Sequence, residues 1–565
     1  MIPHLKISTF AQQILSVKYQ VLENINSPKD LKKLGVSELD QLAQELRFFV
    51  QEITKTKAGH IKSSLGVVEL SIALHFVFDT PDDILVWDVG HQAYIHKILT
   101  ERKNLFHSNR KFGGLSGFTN RKESVYDPFG AGHSSTSISA VSGFAEGAKL
   151  KGINRNHIAV IGDGALTGGE SFEALNYIGE RNLNCLIIIN DNDSSIDPNV
   201  GALSQNQKYA DFFTSLNLDF IGDVDGHDTA KLISTLGSLK NEKGAKVIRV
   251  ITEKGRGWID QIQTSSNPKQ EFSFQEIFAS KMEELALKNE KLVAISPAML
   301  AGAGLSDFKE KFPNRTFDVG IAEQHAVTMS AALAADGFIP VCHLYSTFAQ
   351  RAFDQIIHDV ALQGLAVVFC LDRASLVGED GATHHGNFDP GFLNTIPNII
   401  ITAPMDGKSL SCLLEESLKS DKAFVIRYPK GGNFSKDQKE IGLGFGKLRK
   451  LKKGKTKAFI SYGAIGLEVQ KALKDLKYSH YDLVYLKPID EDAIATIFSE
   501  YDEVISIEEN SPAGGLGEKL ASLKAKWNSP IRLKCHSLPD QFIEHGSNNQ
   551  LLELVALDEK SIKGF

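Results

Sequence analysis

The sequence predicts an α/β protein of three domains, each built on a mostly parallel sheet flanked by helices. Three observations lead there. At 565 residues the chain is too long for a single hydrophobic core. Short apolar runs alternate with amphipathic stretches, the pattern of buried parallel strands joined by crossover helices. Two polar stretches, Gln261–Glu271 (QIQTSSNPKQE) and Gly431–Lys455, interrupt the series where linkers would fall. The domains are therefore expected at about 1–265, 272–432 and 440–565.

The buried-strand candidates of the first domain are Ile84–Trp87, His157–Ile161, Leu186–Asn190 and Lys246–Ile251. Those of the second are Leu292–Ile295, Ala366–Leu371, Asn398–Thr402 and Ala423–Tyr428, and those of the third are Ala458–Tyr462, Asp482–Leu486 and Glu503–Glu508. Each is short, rich in β-branched residues and closed by Gly, Asp, Asn or Pro, as a strand buried on both faces should be.

Composition narrows the class. With 42% hydrophobic and 23% charged residues the chain reads as an ordinary soluble globular protein. A net charge of −7 gives no reason to expect a nucleic-acid or anionic-membrane partner. A small anionic substrate would need a local basic pocket. Cys185, Cys342, Cys370, Cys412 and Cys535 form no CxxC pair, and Cys185 and Cys370 lie inside apolar runs. That pattern reads as free thiols packed as small hydrophobes in a reducing, cytoplasmic setting. Lys6, Gln12, Gln13 and Lys18 interrupt the apolar residues at the start, which argues against a signal peptide. No apolar run approaches the roughly 20 residues of a membrane span.

The sharpest chemical signal runs from Gly162 to Ser194. The strand HIAVI ends in Gly162-Asp163-Gly164-Ala165, an amphipathic helix follows over Glu170–Gly179, and the strand CLIII ends in Asn190-Asp191-Asn192. This is a βαβ unit. Its carboxylate and its amides project from the carboxyl edge of the sheet, where ligands of open α/β sheets bind. One anionic oxygen, one amide oxygen and a nearby backbone carbonyl suit a hard ion such as Mg²⁺, which takes its other ligands from phosphate and water. The glycines let the backbone approach a diphosphate closely, and the helix start offers free N–H donors.

The order GDG, helix, strand, NDN resembles the thiamine-diphosphate signature. On that resemblance Asp163 and the Asn192 side chain are metal ligands and the Ser194 carbonyl is a third. A second element is Ile321-Ala322-Glu323-Gln324-His325. Thiamine chemistry needs a carboxylate at N1′ of the aminopyrimidine, where it favours the imino tautomer that deprotonates thiazolium C2. Glu323 is the candidate.

Longer strings make the match specific. They are Trp87 to Tyr94 (WDVGHQAY), Gly132 to Ser137 (GHSSTS), Asp225 to Asp228 (DGHD) and Tyr345 to Arg351 (YSTFAQR). Asp372-Arg373, Val377 to Gly386 (VGEDGATHHG) and Arg427-Tyr428-Pro429 complete the set. Together they resemble the 1-deoxy-D-xylulose-5-phosphate synthase family, transketolase-like thiamine-diphosphate enzymes. The resemblance implies a transketolase-like fold, thiamine diphosphate and Mg²⁺ as cofactors, pyruvate and glyceraldehyde 3-phosphate as substrates, and a homodimer. It implies that His91, Gly132, His133, Ser134, Gly164 and Ala165 line the diphosphate and thiazolium side, that Phe348 stacks on the aminopyrimidine, and that Trp258 stands among the cofactor contacts. His60 and His384 would exchange protons with the reacting carbons, while His96 and His385 would be structural. Tyr345, Arg373, Asp380 and Arg427 would hold the phosphorylated aldehyde, two guanidinium groups gripping its phosphate by charge-assisted bonds.

Departures from the family pattern are also visible. Trp258 replaces a Tyr, a segment after it is absent, and the stretch Gly201–Asp211 is short where relatives carry a long insert. Ile95, Glu101, Ser375 and Lys430 are smaller changes. Two other functions fit the same residues: ketol transfer or another carboligation on the same cofactor, and a degenerate paralogue without catalysis.

Overall fold

The computed structural model describes residues 19–54, 59–193, 199–203, 209–259, 271–435 and 442–565. The chain divides into two compact units, Met1–Gln263 and Thr264–Phe565. In the first unit five strands run parallel in the order β1-β2-β3-β5-β4: β1 (Ile84–Trp87), β2 (His157–Gly162), β3 (Leu186–Asp191), β4 (Asp219–Asp225) and β5 (Lys246–Ile251). Because side chains alternate along a strand, each central strand feeds two cores. Ala159 and Ile161 pack with Ile138, Val141, Leu175 and Ile178 on one face, and Ile158 and Val160 pack with Leu70, Leu74, Leu232 and Leu236 on the other. Strand β4 was not among the predicted strands. Its sequence DFIGDVD lies at the sheet edge and is largely exposed, so it lacks the continuous apolar run of a central strand.

The second unit carries two sheets. The larger has the order β15-β10-β11-β9-β8-β6-β7, with β6 (Leu292–Ser296), β7 (Thr316–Asp318), β8 (Ile339–Tyr345), β9 (Val368–Asp372), β10 (Ile399–Thr402), β11 (Ala423–Arg427) and β15 (Tyr485–Lys487). Only the β10–β15 pair in it is antiparallel. The smaller has the order β12-β14-β13-β16-β17, with β12 (Arg449–Lys452), β13 (Lys457–Tyr462), β14 (Ser479–Asp482), β16 (Glu503–Glu508) and β17 (Arg532–His536). Its only antiparallel pair is β12–β14. All three sheets are thus mostly parallel and helix-flanked, as expected.

One predicted strand needs correction. Asp482–Leu486 is not a single strand: β14 ends at Asp482 in the smaller sheet, and β15 begins at Tyr485 in the larger one. Val484, at φ 45°, turns the chain between them. An apolar run records burial, and burial persists when a chain passes from one sheet into the next. All five cysteines are free, with Cys185, Cys342 and Cys370 buried. Burial pushes the Cys185 thiol up to about 12, which leaves it unreactive at neutral pH. Among the described residues no helix is long and apolar enough to cross a membrane.

Candidate active site

In the first unit β2 ends at Gly162, immediately before Asp163, and the neighbouring parallel strand β3 ends at Asp191, immediately before Asn192. The two tips meet. Asp163 Oδ1 accepts the Gly164 N–H at 2.9 Å and Oδ2 accepts the Asn192 N–H at 3.3 Å. Burial, then the neighbouring Asp191 carboxylate, pushes the Asp163 carboxyl up to about 7. Asn192 Oδ1 is buried without a hydrogen-bond partner. Crowded carboxylates beside an orphaned amide oxygen form a donor set that a hard cation would complete. Asn190, two residues earlier, is committed to the scaffold. Its Nδ2 donates to Gln92 Oε1 at 2.8 Å, and its Oδ1 accepts from Thr252 Oγ1 at 2.6 Å. Ser194 lies outside the described residues. Among the described residues no group of three or more His, Cys, Asp or Glu side chains is placed to hold a metal, so the expected ligand set depends on amide and carbonyl oxygens.

The loop Gly132-His133-Ser134 is tied to this edge by residues that sequence reasoning did not single out. Buried Asp88, just past β1, accepts the Ser135 N–H at 2.8 Å and the Ser137 N–H at 3.0 Å. Ser135 Oγ donates to the Ala165 carbonyl at 2.7 Å, joining the loop to the Gly164-Ala165 turn. Gly90 is required beside them: at φ 78°, an added Cβ would lie 2.8 Å from the Thr119 nitrogen. Both Asp88 and Ser135 stand inside the quoted strings, yet their partners are backbone groups, which residue types do not reveal.

His60 and His91 meet edge to face at 5.6 Å, and Phe118 lies 5.8 Å from His60. His91 Nδ1 is buried without a partner. Burial, with His60 and Lys254 nearby, pushes the His91 imidazole down to about 3, so it is neutral at physiological pH. Trp258 lies beneath the Lys62 ammonium at 5.7 Å and packs against the helix Val36–Thr54 and its neighbours. His96 is buried between His75 and Asp127, 2.9 Å from each, while Arg102 forks onto Asp127. His227, of the DGHD string, bridges Glu69 at 3.2 Å and the Glu253 N–H at 2.8 Å.

In the second unit Glu323 opens the helix Glu323–Ala335 and is only 4% exposed. Burial pushes its carboxyl up, against the pull of Arg351, and its Oε2 has no hydrogen-bond partner. A carboxylate held this way awaits a donor, as an aminopyrimidine nitrogen partner would require.

Four further predicted residues form one cluster at the tips of β8 and β9. Tyr345 stacks on Phe348 at 5.5 Å with the rings 6° apart, and Phe348 meets His384 edge-on at 5.7 Å. The Arg373 guanidinium lies 4.1 Å over the Tyr345 ring and donates to the Gly302 carbonyl at 3.1 Å. Asp372 anchors the group from below: it is bonded to the Arg373 guanidinium, accepts from Gln275 Nε2 at 2.6 Å, and lies 3.3 Å from His343 Nε2. Asp380 and His384 share the loop Val377–Gly386, where Thr383 Oγ1 lies 2.8 Å from His384 Nδ1. Arg427 is placed differently. It is buried, its Nε and Nη2 contact Asp389 at 2.7 and 3.1 Å, and Nη2 also donates to the Gly386 carbonyl at 3.1 Å. It therefore braces the base of that loop.

A family model described as 1-deoxy-D-xylulose-5-phosphate synthase matches residues 22–210 and 205–252. The transketolase pyrimidine-binding domain matches 270–433, and the transketolase C-terminal domain matches 446–562. The 1-deoxy-D-xylulose-5-phosphate synthase of Cytophaga hutchinsonii is 42% identical over 620 residues, covering 96% of this chain and 97% of that one. The protein of the same name from Azobacteroides pseudotrichonymphae is 41% identical over 618 residues, covering 96% and 98%.

The chain belongs to the 1-deoxy-D-xylulose-5-phosphate synthase family. It is thus an enzyme of the transketolase type that depends on thiamine diphosphate. The alignment with the Cytophaga synthase spans 620 positions, more than the 565 of this chain, so that relative carries segments this synthase-family member lacks.

Proposed function

We propose that this chain condenses pyruvate with D-glyceraldehyde 3-phosphate, giving 1-deoxy-D-xylulose 5-phosphate and CO₂, the first step of a non-mevalonate route to isoprenoid precursors. The observation that carries the reading is the identity of 42%, spread over 96% of this chain, to a synthase of that name. Two orphaned buried oxygens support it, Asn192 Oδ1 and Glu323 Oε2. Asn192 Oδ1 is an oxygen that a bound metal ion would use as ligand, and Glu323 Oε2 one that a ring nitrogen of the bound cofactor would pair with.

In this proposal Asp163 and Asn192, with the Ser194 carbonyl, hold Mg²⁺, and His91, Gly132, His133, Ser134, Gly164, Ala165 and Trp258 border thiamine diphosphate. Thiamine diphosphate supplies, when bound, the electron sink that lets pyruvate lose CO₂ and its two-carbon remainder add to an aldehyde. Glu323 holds or yields a proton at Oε2, a task suited to a carboxyl whose burial brings it nearer to neutrality. Phe348 provides a flat face. His60 and His384 move protons at the reacting carbons. Tyr345, Arg373 and Asp380 orient the phosphorylated aldehyde, while Arg427, engaged by Asp389 and the Gly386 carbonyl, supports the loop that carries Asp380. The working form is a cytoplasmic homodimer.

The test is an assay of the purified chain with pyruvate and glyceraldehyde 3-phosphate, with and without thiamine diphosphate and Mg²⁺, and product identification by mass. Pyruvate-dependent CO₂ release together with a product of the deoxyxylulose phosphate mass is expected. Turnover only of ketose phosphates would overturn the assignment in favour of ketol transfer.

A further inference from the structure

The loop that carries Asp380 and His384 is closed at its neck and held from outside its own sheet. Ser375 and Gly386 exchange backbone bonds of 2.7 and 2.9 Å, and Val377 donates to His385 Nδ1 at 3.0 Å. The holding groups come from the carboxyl-terminal sheet and the chain that follows it. The Leu376 N–H donates to Glu509 Oε1 at 2.9 Å, immediately beyond the tip of β16. Ser511 donates to the Asn387 carbonyl at 2.9 Å, and Gly546 donates to the Gly378 carbonyl at 3.4 Å. Gly381, at φ 70°, sits so close to His545 that an added Cβ would lie 2.9 Å from its Cβ. The Leu376 side chain is buried with Leu538, Ile543, Leu551 and Leu557. Arg427 braces the other side of the neck through Asp389 and Gly386.

From this geometry we infer that Glu509 is a positioning residue: it clamps the neck of the loop 375–386 and so sets where Asp380 and His384 stand. The inference rests on the proposed reaction for its catalytic consequence, but the clamp itself is a matter of structure. Leu376 is buried, and a buried peptide N–H that loses its acceptor costs free energy comparable to a lost hydrogen bond, which favours a shift of the neck. A shift of about 1 Å at a reacting group is enough to lower a rate by up to roughly 10²-fold.

The experiment compares the full-length wild type with Glu509→Ala, Glu509→Gln, His384→Ala and the Glu509→Ala/His384→Ala double variant. Readouts are kcat, KM for each substrate, and hydrogen exchange of the amides in 375–386. Glu509→Ala is expected to lose roughly tenfold or more in kcat/KM for the phosphorylated aldehyde. Glu509→Gln, which keeps a carbonyl acceptor, should recover most of that loss. Glu509→Ala should cost little further in the His384→Ala background, and faster exchange should be confined to 375–386. Equal kcat/KM for Glu509→Ala and wild type, equal losses for the Ala and Gln variants, or additive losses with His384→Ala would each overturn the inference. If wild type itself forms no deoxyxylulose phosphate, the proposed function fails. The clamp is then decided by exchange alone: protection of 375–386 unchanged in Glu509→Ala refutes it.

Discussion

Replacing Glu323 by Gln should make the cofactor-free protein more stable while disabling the enzyme. The side chain is 4% exposed, its Oε2 has no partner, and burial raises its pKa over the opposing effect of Arg351. A carboxyl whose pKa is higher in the fold than in the unfolded chain weakens the fold once the unfolded form ionises. The penalty is absent below the unfolded pKa of 4.5, grows as pH rises, and is fully present above the folded value. A neutral amide of the same shape escapes the charged part of that cost. An unpaired buried polar group costs about 1–3 kcal/mol, and more if charged, so the variant should gain about 1–2 kcal/mol at pH 8. For a unit of about 300 residues that is a rise of about 2–3 °C in unfolding temperature. Turnover should fall by roughly 10²-fold or more, the usual contribution of a placed acid–base group. Thermal unfolding without cofactor at pH 8 and pH 5, paired with the condensation assay, measures both. The stability gain must shrink at pH 5. A variant less stable than wild type at pH 8, or one retaining turnover within tenfold, would refute the reasoning.

The two asparagines of the NDN string should separate cleanly. Asn192→Ala removes an orphaned oxygen, so it should leave thermal unfolding of the metal-free protein nearly unchanged while raising the Mg²⁺ concentration needed for activity. Asn190→Ala strands Gln92 and Thr252 and should cost about 1–3 kcal/mol, seen in denaturant unfolding. Arg373→Lys keeps charge but loses the planar stack on Tyr345. Its KM for glyceraldehyde 3-phosphate should rise roughly tenfold while the KM for pyruvate moves little, and steady-state kinetics with each substrate varied in turn will show whether it does.

What the sequence made legible is what strand tips force on it. Central parallel strands such as β2, β3 and β11 are buried on both faces, so their apolar runs stand out, and the short polar residues that close them mark the ligand edge. Strand β8 escaped notice because Pro340 and His343 break its run, although both are buried. His343 is tolerated inside because Asp372 and Ser296 face it. Edge strands β12 and β17, rich in Lys and Arg, offered no apolar signal at all. The role of the carboxyl-terminal sheet is not legible at all, because the contacts of Glu509 and Gly546 with the loop 375–386 join residues more than a hundred positions apart. No local pattern encodes such a pairing.

The limit is sharpest where two residues look alike in sequence and behave oppositely in the fold. Glu323, at a helix start, and Glu508, at the end of β16, are both buried acids, and burial raises the pKa of both. Glu508 accepts the Leu516 N–H at 2.7 Å, the Gly517 N–H at 2.8 Å and Asn510 Nδ2 at 2.7 Å, so both of its oxygens cap the helix Leu516–Lys526. Glu323 leaves Oε2 without a donor. Residue type and burial are shared, so neither can mark which acid is left with an unmet oxygen. The distinction lies in unmet hydrogen-bonding capacity, which costs about 1–3 kcal/mol unless water, an ion or a ligand meets it. Orphaned buried oxygens occur elsewhere in the fold, at Asn510 for example, so those at Glu323 and Asn192 count toward a bound group because they coincide with the motifs.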